Sequence, residues 1–130
     1  KTEQLDAIEG AAPSVDQIEM HPSFNQATFR AELAERGINP EAWSPLGQSK
    51  DLDNPVLTDI SKATGKTPAQ VVIRWHLQIG NVVFPKSVTP SRIAENFDVF
   101  DFELSDEQIA AIDGLDHGNR LGGDPSTADF

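Results

Sequence analysis

Val82–Asn96 reads VVFPKSVTPSRIAEN, and what this stretch builds decides what the chain around it is. Val82-Val83-Phe84 has strand composition and stops at Pro85, which has no N–H to offer a sheet. Lys86, Ser87 and Thr89 follow, and Pro90 falls where a helix takes its first residue, with Thr89 as its N-cap. A strand ending in a lysine, two hydroxyls and a helix N-terminus outlines a phosphate site. The free N–H groups and the positive end of the helix dipole favour an anion, and Lys86 and Arg92 add full charges. The same residues also suit a plain strand–turn–helix with two solvated cations, and local sequence does not separate these readings.

Charge placement favours the first. Beyond Trp75 only Lys86, Arg92 and Arg120 are basic, against ten acidic residues, and two of those three cations flank the expected helix start. The whole chain of 130 residues carries a formal charge of −11, which argues against nucleic acid or an anionic membrane as partner. There is no cysteine, so disulfide and thiolate chemistry are excluded, and there is no tyrosine. No apolar run approaches a membrane span and the start has no signal-peptide pattern, so a cytoplasmic enzyme or binding domain is expected. The length suffices for one domain with a core.

Outward from the opening stretch, punctuation residues place the other elements. Gln4–Glu9 reads as the end of a helix with Leu5 and Ile8 on one side, closed by Gly10 to Pro13. Val15–Met20 alternates as a strand, and Asn25 caps a helix Gln26–Arg36 that buries Phe29, Leu33 and Ala34 and stops at Gly37. Ile38–Trp43 reads as a strand despite Pro40, and Ser44 to Asn54 as a loop. Asn54 with Pro55, and Thr67 with Pro68, each pair a cap with a first-turn proline. They open helices Pro55–Thr64 and Ala69–Ile79, the latter with Val71, Val72, Trp75 and Ile79 on its core side. Pro90–Phe97 is the helix of the opening stretch, and Ser105 with Gln108 forms a capping box for Asp106–Gly114. Residues 116–130 should form an extended tail.

Short apolar strands separated by helices call for parallel β/α units. Three strands make a poor complete sheet. They fit an α/β fold that is the C-terminal part of a TIM (β/α)8 barrel, about three β/α units plus extra helices. A whole barrel takes roughly 250 residues, and its phosphate groups bind after the last two strands, where Lys86–Arg92 would lie.

Four stretches then make the pattern specific: VDQIEMHP at Val15–Pro22, AWSPLGQ at Ala42–Gln48, GKTPAQVVIRWHLQ at Gly65–Gln78, and VVFPKSVTPSRIAENFDVFDFELS at Val82–Ser105. In order and spacing they resemble the C-terminal half of the aldo-keto reductases, closest to bacterial members of the 2,5-diketo-gluconate reductase type. The resemblance covers residues 1–117, leaving 118–130 as a tail. It implies an NADPH-dependent oxidoreductase that reduces aldehyde or ketone carbonyls, keto sugars among them.

Residue by residue, the resemblance implies that Lys86, Ser87 and Arg92 hold the 2′-phosphate, with Val88 and Thr89 contributing through the loop. Glu95 and Asn96 would meet the adenine, and Gln17 the nicotinamide carboxamide. Trp43 would stack on the nicotinamide, and Ser44, Leu46 and Gln48 would line the pyrophosphate. Physical chemistry suits these roles: a guanidinium matches phosphate bidentately, and a flat aromatic at a strand end can fix one ring face. Read alone, Trp43 suits a core aromatic, Gln17 a polar strand residue, Asn96 a helix C-cap and Glu95 a solvated carboxylate.

None of the histidines matches the family's catalytic one, and His21 falls in a structural His-Pro. The family's proton donor is a tyrosine assisted by aspartate, lysine and histidine, all further upstream. The chain alone is therefore expected to be inactive and to carry no catalytic residue and no metal. Its partners would be NADPH and, in the full enzyme, a small carbonyl substrate. A full enzyme would be monomeric, whereas an isolated half-barrel would associate through its open sheet edges. The competing readings are a non-catalytic nucleotide-binding module, a structural half-barrel, and another phosphate-binding barrel enzyme.

Overall fold

Prolines at first helical positions, each behind an extended residue, open three of the helices. The structure, a computed structural model, describes residues 2–127. It contains α1 (Thr2–Asp6), β1 (Val15–Glu19), α2 (Ala27–Glu35), β2 (Asn39–Trp43), α3 (Pro55–Thr64), α4 (Pro68–Gln78), β3 (Val82–Val83), α5 (Pro90–Phe97) and α6 (Asp106–Asp113). The strands form one parallel sheet in the order β1-β2-β3, with Glu19 opposite Trp43 and Val82 opposite Glu41. This is the expected alternation of β/α units with additional helices.

Alternation decides which side chains meet the helices. Pro40 and Ala42 of β2 are buried beneath the helical layer, while Glu41 and Trp43 face the other way together with Gln17 and Glu19. Leu57, Ile60, Val71, Val72, Trp75, Leu104 and Ile112 form the core between α3, α4 and α6. Ile79 is only half-buried and packs at its margin. Trp75 spans this core and donates its indole N–H to Asp113 at 2.9 Å.

Several expectations need correction. α1 ends at Asp6, so Ile8 lies outside it and is exposed. Asn25 is not the N-cap of α2; Gln26 takes that position in a left-handed conformation, and Asn25 accepts the Ala27 N–H from one residue further back. Ala34 is exposed, leaving Leu33 as the buried residue of α2. Pro40 sits inside β2 because its missing N–H falls on the side where β3 has not begun: Asn39 donates towards Ser14, and pairing with β3 starts at Glu41. β3 stops before Phe84.

The tail has no helix or strand among its described residues, yet it is stitched to the sheet. His117 and Asn119 donate their backbone N–H groups to the Ser23 carbonyl, and Leu121 and Gly122 donate theirs to Glu19. Residues 128–130 of the expected tail lie outside the described ones.

Candidate functional site

The three parallel strands point their carboxyl ends the same way, and the predicted site residues collect at that end. Lys86, Ser87, Val88 and Thr89 form the connection from β3 to α5, and Arg92 lies in the first turn of α5. Thr89 occupies the N-cap position, but its side chain accepts no N–H from the helix. The caps of α3, α4 and α6 do accept one: Asn54 from Val56, Thr67 from Gln70, Ser105 from Gln108. The first-turn N–H groups of α5 are thus left to solvent or a ligand. Lys86 and Arg92 are exposed and make no hydrogen bond or ion pair among the described residues. Two free cations, a hydroxyl and an uncapped helix start are a donor set that suits a phosphate group.

Further along α5 the picture is mixed. Asn96 follows Arg92 by one turn and lines an apolar cleft with Phe84, Pro85 and Phe97. Glu95 turns towards α4, where its carboxylate accepts the Thr67 hydroxyl at 2.7 Å and its carbonyl accepts the Gln70 amide at 3.0 Å. That contact ties α5 to the start of α4, so Glu95 holds the platform on which Arg92 stands.

The second group lies at the middle of β1, where Gln17 sits two residues short of the strand's end, and at the end of β2 with the loop that follows. Gln17 donates its amide to Glu41 at 2.5 Å across the sheet. Trp43 ends β2 and leaves 36 % of its surface exposed. The following loop is held in an uncommon backbone state, with left-handed φ values of 54° at Ser44, 53° at Gln48 and 65° at Ser49. Non-glycine residues in that region cost energy and concentrate at ligand clamps. His76 on α4 helps to hold the loop: its Nε2–H donates to the Pro45 carbonyl at 3.0 Å, and its Nδ1 accepts the Asn81 amide at 3.0 Å. Complete burial pushes the pKa of His76 down to about 3, so the ring is neutral. Leu46 differs from its neighbours in packing against the α3–α4 core.

One cluster beside the site is not visible as such in the sequence, where His21 reads only as part of a structural His-Pro. The buried Glu19 and His21 and the partly exposed Asp51 form a chain, with Glu19 to His21 at 3.0 Å and His21 to Asp51 at 3.1 Å. Burial opposes the charge on His21, but the hydrogen bonds its ring donates to Asp51 and Glu19 outweigh it and raise its pKa. Burial also opposes ionisation of Glu19, and the N–H groups of Leu121 and Gly122 together with His21 outweigh it and lower its pKa. The available signal was Glu19 itself, a carboxylate between the buried Met20 and the apolar Ile18 in a strand. Beside it a cleft of about 460 Å³ follows the open edge of β1, lined by Gln17, Phe29, Trp43, Arg120 and Pro125.

With this geometry in hand, comparison with known proteins is direct. The profile of the Aldo/keto reductase family matches residues 1–117, and the chain belongs to that family. An aldo-keto reductase of Mycolicibacterium smegmatis is 58% identical over 121 residues, covering 93% of this chain and 44% of the relative. Methylglyoxal reductase DkgA of Escherichia coli K12 is 52% identical over 118 residues, covering 89% of this chain and 43% of its own length. The crystal structure of a Gox0644 variant in complex with NADPH superposes with a TM-score of 0.97 at 45% identity, covering 100% of this chain and 49% of that one. MGS-M4, an aldo-keto reductase from a Medee basin deep-sea metagenome library, gives a TM-score of 0.94 at 34% identity, with coverage of 98% and 48%. The chain spans less than half the length of each relative, and its sheet and helices are part of a TIM barrel. No helix among the described residues is long and apolar enough to cross a membrane.

Proposed function

We propose that this chain is the cofactor-holding portion of an NADPH-dependent carbonyl reductase, with residues 1–117 as barrel and 118–130 as tail. The observation that carries the reading is the pair of unpaired cations, Lys86 and Arg92, at the uncapped start of α5 beyond the carboxyl end of β3. The NADPH complex of Gox0644, so similar in fold, supports NADPH as the ligand. Lys86, Ser87 and Arg92 take the 2′-phosphate, Val88 and Thr89 contribute through the loop, and Glu95 and Asn96 flank the adenine. Ser44, Leu46 and Gln48 border the pyrophosphate. Trp43 and Gln17 receive the nicotinamide, one by stacking and one by hydrogen bonding. When bound, the cofactor supplies a hydride for a carbonyl carbon.

The carbonyl oxygen then needs a proton, and this chain has no tyrosine to give one. The reading places the proton donor outside these 130 residues and the substrate among small aldehydes and ketones, as the name of the E. coli relative suggests. NADPH oxidation with methylglyoxal tests it, using the chain alone and the chain joined to the N-terminal part of the M. smegmatis relative. No turnover is expected from the first and turnover from the second. Turnover by the chain alone would overturn the placement of the proton donor. A folded chimera that binds NADPH without turnover would favour a non-catalytic nucleotide-binding module.

A further inference from the structure

The tail is fastened by side chains that have no role in the cofactor reading. The Glu19 carboxylate accepts the Leu121 N–H at 2.5 Å and the Gly122 N–H at 2.8 Å, and it faces His21 Nε2 at 3.0 Å. On the far side of the ring, Nδ1 faces Asp51 at 3.1 Å, and the same Asp51 oxygen accepts the N–H and hydroxyl of Ser23 at 3.1 and 3.0 Å. Ser23 in turn carries the other end of the strap through its carbonyl, which accepts the N–H groups of His117 and Asn119. We propose that Glu19, His21 and Asp51 form a proton-dependent clasp that straps residues 117–122 against Trp43 and so sets how much of the indole a ligand can reach.

The stoichiometry of protons makes the clasp dependent on His21. An imidazolium has an N–H for each carboxylate, whereas neutral imidazole has only one and turns a lone pair on the other. In a buried site that confrontation is costly, and both Glu19 and His21 are sealed from solvent. The Glu19 carboxylate itself holds the Leu121 and Gly122 N–H groups, so loss of the Nε2 proton, with Nδ1–H kept by Asp51, turns a lone pair on Glu19 and loosens that end of the strap. The contact it would release is tight: a Cβ on Gly122 would overlap the Trp43 indole and lie 2.9 Å from a Glu19 oxygen.

The other ionisable groups around His21 lie on α4, on α2, on the strap and in the loop after β2. His76 on α4 is neutral down to about pH 3. Arg30 on α2 stays charged, and on the strap Arg120 lies over the Phe24 ring at 4.6 Å. His117 is exposed and its ring contacts the Leu115 carbonyl, while Lys50 and Asp53 flank Asp51 from the loop side.

Residue-resolved hydrogen exchange on the labelled chain, read as protection factors across pH, tests the clasp without any cofactor. Below about pH 6.5 the Leu121 and Gly122 amides should be protected, and protection should fall with the titration of the His21 ring signals. Glu19→Gln should reduce it at least about tenfold while the α4 amides of Val72 and Ile73 keep theirs. Acrylamide quenching of Trp43 should rise in parallel, Trp75 being buried, and Gly122→Ala should raise it by steric means alone. Unprotected Leu121 and Gly122 in the wild type would overturn the proposal. So would protection indifferent to His21 titration and to Glu19→Gln, or lost only together with that of α4.

Discussion

His76 and His21 are both fully buried, and their surroundings push them in opposite directions. Below the ordinary value of 6.5 the unfolded chain protonates at His76 while the folded chain refuses the proton until about 3. Stability should therefore fall as pH falls from 6.5, with a limiting slope of about 1.4 kcal/mol per pH unit from this residue. His21 has a raised pKa, so its contribution is fully present below 6.5 and is lost as pH rises through the folded value. The two windows adjoin, and the stability maximum should lie near their boundary. Urea melts between pH 6.5 and 5 on the wild type and His76→Gln check the acid side, since most carboxylates stay ionised there. A flat wild-type profile would contradict the neutral buried His76, and a slope unchanged in His76→Gln would assign it elsewhere.

Among the elements, α5 differs from its neighbours in how it starts. Thr67 accepts the Gln70 N–H at 3.3 Å and donates to Glu95, so Thr67→Ala should cost about 1 kcal/mol, and Ser105→Ala a similar amount. Thr89→Ala should fall within about 0.5 kcal/mol, because its side chain caps nothing. Chemical denaturation of the three variants measures this, and a Thr89 penalty as large as that of Thr67 would mean α5 closes its own N-terminus. Caps and first-turn prolines are why the starts of α3 to α6 were legible in the sequence: the signal spans four residues and needs no tertiary partner. Leu5 and Ile8 share a helical spacing that carries the expected α1 past Asp6, whereas Ile8 lies beyond the helix and is 48 % exposed. The phosphate end of the site was legible for the same local reason as the caps. The clasp was not, since Glu19 meets Leu121 across 102 positions and Asp51 lies in a polar run that reads as loop. Nor does sequence show the left-handed backbone at Ser44, Gln48 and Ser49, where no glycine marks the conformation.

At the scale of the molecule, β1 and β3 are both open edges, and the β3 side carries Phe84, Phe97 and Phe100 at 68 %, 71 % and 72 % exposure. Open edges beside apolar surface favour association, so the chain should self-associate in light scattering, and Phe97→Glu with Phe100→Glu should shift it towards monomer. A clean monomer with a cooperative melt would show that this surface is tolerated. The same side of the molecule bears Lys86 and Arg92, so association and cofactor binding are best separated by working with the charged variant as well as the wild type. Titration of the chain with NADPH and with NADH, followed by Trp43 fluorescence, then tests the central claim. Saturable quenching is predicted with NADPH, tighter than with NADH by roughly tenfold, and Arg92→Ala should erase most of that difference by removing a charge-assisted phosphate contact. Equal affinity for the two cofactors, or quenching untouched by Arg92→Ala, would contradict it.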